Sequence, residues 1–211
     1  MTRDELAALV ITNLDDAGVF HTLTEVNDAI QDGYEDLVLT HGLRPKAAAI
    51  SLEANVTFLD MVTLIPDFVA LRALFHQPTK RWLISRSLKH LQSTREDWEL
   101  QTGNPTDFWV ANYRRVALFP HVIVDEEDTL WVFYYAAAPD LSLGSDSLNI
   151  PVDSGFRALE NYATSVMLTK AEEWTKAETY ELQLLEDSEE CKTFRNSLKS
   201  PDYIDGLRGS Y

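Results

Sequence analysis

Apolar side chains recur at every third or fourth position near both ends of the chain, and the middle lacks that rhythm. In residues 2–17, Leu6, Leu9, Val10, Asn13, Leu14 and Ala17 follow the i, i+3, i+4 spacing of one helix face, and Thr2 with Glu5 has the spacing of a capping box. Gly18 ends that segment. Thr22 and Glu25 repeat the box, and Val26, Ile30, Tyr34, Leu37 and Val38 form a second stripe that closes at His41-Gly42. So short a link predicts that the two helices pack as a hairpin. After a loop over 139–151, one long helix is predicted from Asp153 or Ser154 to about Lys192. Phe156, Leu159, Ala163, Val166, Trp174, Ala177 and Leu184 lie on its stripe, with no Pro or Gly after Gly155.

The middle is rich in β-branched and aromatic residues. Segments 47–52 and 56–65 read as strands, Pro66-Asp67 breaks the run, and 69–75 faces 81–84 across a turn at 76–80. A short helix is predicted over 87–93. Segments 115–124 and 129–137 then flank Asp125-Glu126-Glu127-Asp128, a four-residue turn suited to a hairpin. In the second of these strands Leu130, Val132 and Tyr134 line one face, and Trp131, Phe133 and Tyr135 the other. A strand apolar on both faces is sandwiched in its own domain or covered by a neighbour, which makes Trp131 and Tyr135 interface candidates. The fold class is therefore α+β: a helical bundle of two N-terminal helices and one long C-terminal helix, with an inserted antiparallel β region. The expected parts of this single domain are 1–46, 47–138, 139–196 and a flexible tail at 197–211.

The chain has 211 residues, enough for a substantial core without disulfides or metal, and its one cysteine, Cys191, excludes a disulfide framework and a thiolate zinc cluster. This fits synthesis in a reducing cytoplasm. No stretch has the length of a membrane span, and the acidic start, Met1-Thr2-Arg3-Asp4-Glu5, lacks the pattern of a signal peptide. The net charge of −16 repels phosphate and disfavours nucleic-acid binding, although solubility alone would also account for it. Glu186, Asp187, Glu189 and Glu190 crowd the end of the long helix, where the dipole favours cations, so these acids serve some other end.

Catalytic signatures are missing. Only 8 glycines are present and none form a phosphate-cradling loop, there is no GxSxG elbow, and the 5 histidines lie far apart without metal-ligand spacing. Asp125-Glu126-Glu127-Asp128 lacks the alternating ligands and central glycine of a calcium loop and reads as a solvated turn. Pro139-Asp140 with Glu190-Cys191-Lys192 matches a metal-dependent nuclease pattern, but there the Glu-x-Lys sits on a strand and here it falls on a predicted helix. The tail carries Tyr203, Ile204 and Leu207, side chains suited to anchoring a segment that orders on binding.

The second half resembles the phage head-to-tail adaptor family, also called connector or tail-tube gatekeeper proteins. The residues that carry the resemblance are Gly103-Asn104-Pro105, Phe108-Trp109, Val116-Ala117-Leu118-Phe119-Pro120, Phe133-Tyr134-Tyr135, Ala138-Pro139-Asp140-Leu141-Ser142, and Pro151 ahead of Leu159 and Tyr162-Ala163. The N-terminal helix pair with Leu14-Asp15-Asp16 is also similar, and the likeness covers most of residues 1–195. The resemblance implies a non-enzymatic virion protein of the neck. It would form a ring, commonly twelvefold, that docks on the portal protein, meets a tail or tail-terminator protein, and uses no cofactor or metal. DNA would pass without specific binding, and an acidic ring suits such a channel because attraction to phosphate would stall the duplex. The alternatives are a metal-dependent nuclease, or another virion part such as a tail-completion protein.

Overall fold

The computed structural model describes residues 1–15, 21–53, 58–94, 100–122 and 128–197. In chain order it contains α1 (Arg3–Asn13), α2 (Leu23–His41), β1 (Pro45–Ser51), β2 (Phe58–Asp60), α3 (Met61–Leu64), β3 (Phe68–His76), β4 (Arg81–Trp82), β5 (Ile84–Ser85) and α4 (Leu88–Thr94). There follow β6 (Thr102–Gly103), β7 (Asp107–Val110), β8 (Arg115–Phe119), β9 (His121–Val122), β10 (Thr129–Ala136), α5 (Asp153–Lys170) and α6 (Trp174–Ser197). The fold is mixed α+β, and the chain divides into two compact units. Met1–Arg44 with Ala137–Tyr211 is helical, and Pro45–Ala136 is β-rich.

In the helical unit both capping boxes form as the sequence leads one to expect. Thr2 Oγ1 accepts from the Glu5 N–H and Glu5 Oε2 from the Thr2 N–H, and Thr22 with Glu25 repeats the exchange. Gly42 closes α2 in the left-handed conformation at φ 60°. Leu6, Val10, Val26, Ile30, Tyr34, Leu37, Val38, Leu159, Ala163 and Met167 share one buried cluster, whereas Leu9, on the predicted stripe, is exposed. Gly33 marks the closest helix approach, because a Cβ there would lie 2.5 Å from the Tyr162 ring. The loop before α5 is pinned to the start of α1: Arg3 N–H donates to Asp146 O at 3.0 Å, Asp4 N–H to Gly144 O at 3.1 Å, and Leu148 N–H to Met1 O at 3.1 Å.

The single long C-terminal helix is corrected by the structure to two helices, α5 and α6, packed on each other. The break is a Schellman turn without glycine. Glu172 takes φ 62°, its N–H donates to Thr169 O, and the Glu173 N–H reaches back to Leu168 O at 3.0 Å. Ala177, Leu184 and Cys191 of α6 can then join the helical core instead of extending into solvent.

In the β unit the sheets run β1-β10-β3-β4 and β2-β8-β7-β5, with a small β6-β9 pair. The predicted pairing of 69–75 with 81–84 forms as β3 with β4, and the short helix over 87–93 forms as α4. The hairpin expected between 115–124 and 129–137 does not. β8 pairs with β2 and β7, while β10 is central between β1 and β3. The expected strand over 56–65 is cut short at Asp60, whose Oδ1 accepts from the Thr63 N–H and starts the helical turn α3.

Candidate assembly surfaces

The alternation along β10 separates two environments. Leu130, Val132, Tyr134 and Ala136 point into the buried cluster of the β unit with Ile50, Leu74 and Val116. The opposite face carries Trp131, Phe133 and Tyr135. Trp82 packs on Phe133 at 5.0 Å between ring centroids and on Phe75 at 5.4 Å, and the Arg72 guanidinium lies 5.3 Å over the Tyr135 ring. Ala47 and Ala49 stand opposite Phe133 and Trp131 in register and are exposed. Of the predicted interface candidates, Trp131 is thus half-buried on an aromatic outer face, and Tyr135 is buried on it. Tyr203, Ile204 and Leu207 lie outside the described residues.

One end of this face is fixed by a buried histidine. His76, fully buried, shares its Nε2 with Asp128 Oδ1 at 2.7 Å and its Nδ1 with Thr79 Oγ1 at 2.8 Å. The Gln77 N–H donates to Thr129 O at 3.0 Å, and Trp131 Nε1–H to Gln77 Oε1 at 2.9 Å. The turn between β3 and β4 is therefore tied to the start of β10 by both backbone and side chains. Asp128 corrects the reading of a solvated acidic turn, since it is 8% exposed and spent on His76. Asp125, Glu126 and Glu127 lie outside the described residues. Asp128 and His76 are 52 positions apart, and without the strand pairing no local pattern joins them.

In the helical unit the crowded acids of α6 have separate partners. Asp187, buried, accepts from Arg157 Nε at 2.9 Å and from Asn161 Nδ2 at 3.0 Å, and Glu190 accepts from Arg157 Nη2 at 2.9 Å. The two carboxylates, with burial opposing, hold the Arg157 guanidinium above its ordinary pKa. Glu189 pairs with Lys192, and Glu186 is exposed beside them. Arg157, Asn161, Glu186, Asp187 and Glu190, with Asn13, Glu160, Tyr180 and Gln183, line a polar groove of about 570 Å³. Glu190 and Lys192 are two residues apart on a helix, so they point about 200° apart around its axis and do not converge on one metal. Cys191, between them, is buried in the core, which pushes its thiol pKa up. Among the described residues, no group of three or more His, Cys, Asp or Glu is placed to hold a metal ion.

The outer side of α6 is different again. Trp174, Leu182 and Leu185 are 63%, 60% and 63% exposed, beside exposed Glu178 and Glu181. Charge is also divided unevenly between the units. The helical unit has nine Lys or Arg against 23 Asp or Glu, which is −14 of the chain's −16, and the β unit has nine against 11.

An apolar stripe left exposed on α6 beside acidic side chains is the make-up of an assembly surface. The family described as SU10 adaptor protein matches residues 1–191, and the chain belongs to that family of phage head-to-tail adaptors. No curated protein matches the chain. Membership makes it a structural virion protein of the head–tail junction, in a family that meets portal and tail components. No helix among the described residues is long and apolar enough to cross a membrane.

Proposed function

We propose that the chain is one subunit of a closed ring, twelvefold in the reading the resemblance gives. The ring joins the portal vertex of the capsid to the tail, extends the DNA channel and performs no reaction. The observation that carries this reading is the family match over residues 1–191. The charge division supports it: a helical unit of −14 presents duplex DNA with a surface it cannot neutralise with Lys or Arg, and so lets it slide. Half-buried Trp131 and the exposed Ala47 and Ala49 beside it supply area for a neighbouring subunit, whereas Tyr135 is already buried within the chain. In the same reading Tyr203, Ile204 and Leu207 anchor the tail on the portal, and Glu186 and Glu189 are available to the channel wall.

Phage made without this protein tests the reading. Heads should fill with DNA and then accumulate without tails, and wild-type particles should carry the protein as a collar at the neck. Infectious tailed particles made in its absence would contradict the proposal.

A further inference from the structure

A ring of identical subunits needs a heterologous contact, in which two different surfaces of the same chain fit each other. We infer that the β3–β4 turn and the edge strand β4 of one copy pack on the outer stripe of α6 in the next copy. This rests on the ring reading above and names the surfaces that would build it.

The two surfaces are complementary in charge. At the turn and on the edge strand β4, Lys80 and Arg81 are exposed and form no ion pair among the described residues; Arg81 stands opposite His76 in register, so half-buried Trp82 takes the other side of the strand, with Phe75 and Trp131. On α6, Leu182 and Leu185 lie beside Glu178 and Glu181, also exposed and in no ion pair among the described residues. Two α6 stripes facing each other would set acid against acid, a like-charge penalty that disfavours a symmetric pairing. The opposite sign is available on the β unit, whose described residues carry eight Lys or Arg against five Asp or Glu.

The sheet surface is also preorganised. The His76–Asp128 and His76–Thr79 bonds, the Gln77–Thr129 bond and the Lys80 N–H to Gln77 O bond at 3.2 Å hold the turn. Lys80 itself sits at φ 52°, a left-handed conformation unfavourable for a non-glycine residue, which persists here because the surrounding bonds fix it. A turn already ordered loses little further freedom on docking.

Two paired reversals test the contact on the full chain with portal rings of the same phage. One variant carries Glu178→Lys with Glu181→Lys, and the other Lys80→Glu with Arg81→Glu. Each alone meets a like-charged neighbour and should raise the concentration for half-assembly by about tenfold or more. Mixed in equal amounts, each variant's altered surface meets the opposite sign on the other. An even-numbered ring can then close with alternating copies, and mass spectrometry should find the two in equal proportion. Should a reversal lower the melting temperature, the neutral versions Glu178→Gln with Glu181→Gln and Lys80→Gln with Arg81→Gln replace it, and both should flatten the salt dependence of assembly. If the mixture assembles no better than either variant alone, or if the neutral versions keep the wild-type salt dependence, the contact lies elsewhere and the ring reading stands. If wild-type protein forms no ring on the portal, both fall together.

Discussion

Asp187 sits among six acidic side chains of α6, and in sequence nothing sets it apart from Glu186 or Glu189. Only it faces the interior, because it falls on the same helical side as Ala177, Leu184 and Cys191. Its carboxylate answers both Arg157 and the buried amide of Asn161. Asp187→Ala should therefore cost about 1–3 kcal/mol in urea unfolding, mostly from leaving the Asn161 amide without an acceptor. Glu186→Ala should cost less than about 0.5 kcal/mol, as an exposed acid with no partner among the described residues. Burial acts on His41 in a different way. Its imidazole is held below its ordinary pKa of 6.5, first by loss of solvent and then by nearby Lys192, with Asp36 opposing. The unfolded chain then binds a proton near pH 6.5 that the folded chain refuses, so stability is full above that value and falls as the pH drops through the lowered one. His41→Leu should flatten the change in urea midpoint between about pH 7.5 and about pH 5.5.

At the scale of elements, hydroxyl caps and helical stripes were legible because each is a local signal with a fixed spacing, as Thr2 with Glu5 and Thr22 with Glu25 show. Partners of strands were not. The segments that became β8 and β10 are both apolar and close in sequence, which suits a hairpin, yet each found a better-matched neighbour in a different sheet. Alternation reports which face a side chain takes and carries no information on the strand beside it. The turn between α5 and α6 was missed for a sharper reason: Glu172 occupies a left-handed position where glycine is the usual signal. Replacing it should relieve that cost. Glu172→Gly should stabilise the chain by roughly 0.5 kcal/mol, net of the extra freedom glycine gives the unfolded state. A melting temperature lower than wild type would show that the Glu172 side chain contributes more than its backbone costs.

For the whole molecule, composition narrowed the partners, and the order of elements with the family resemblance pointed to an assembly part. A charge of −16 disfavours nucleic-acid contact, and the fold then sorts that charge into the helical unit. The two units follow the expected division between helical chain ends and a β-rich middle, so the uneven charge can be counted along the sequence once that division is drawn. Both-sided apolarity marked Trp131 and Tyr135, of which the fold leaves Trp131 half-buried and buries Tyr135 within the chain, while the exposed stripe of α6 was hidden inside what read as one helical pattern. Deleting residues 200–211 should leave the melting temperature unchanged and weaken docking on the portal, measured by co-sedimentation, if Tyr203, Ile204 and Leu207 anchor there. Equal docking of the truncated chain would remove the tail from the interface. The most direct measurement is the mass of the purified protein alone and after mixing with portal rings of the same phage. A ring subunit should add one closed set of copies to each portal ring, at a fixed stoichiometry and in a single step as concentration rises. A protein that leaves the portal mass unchanged at every concentration is not the connector proposed here.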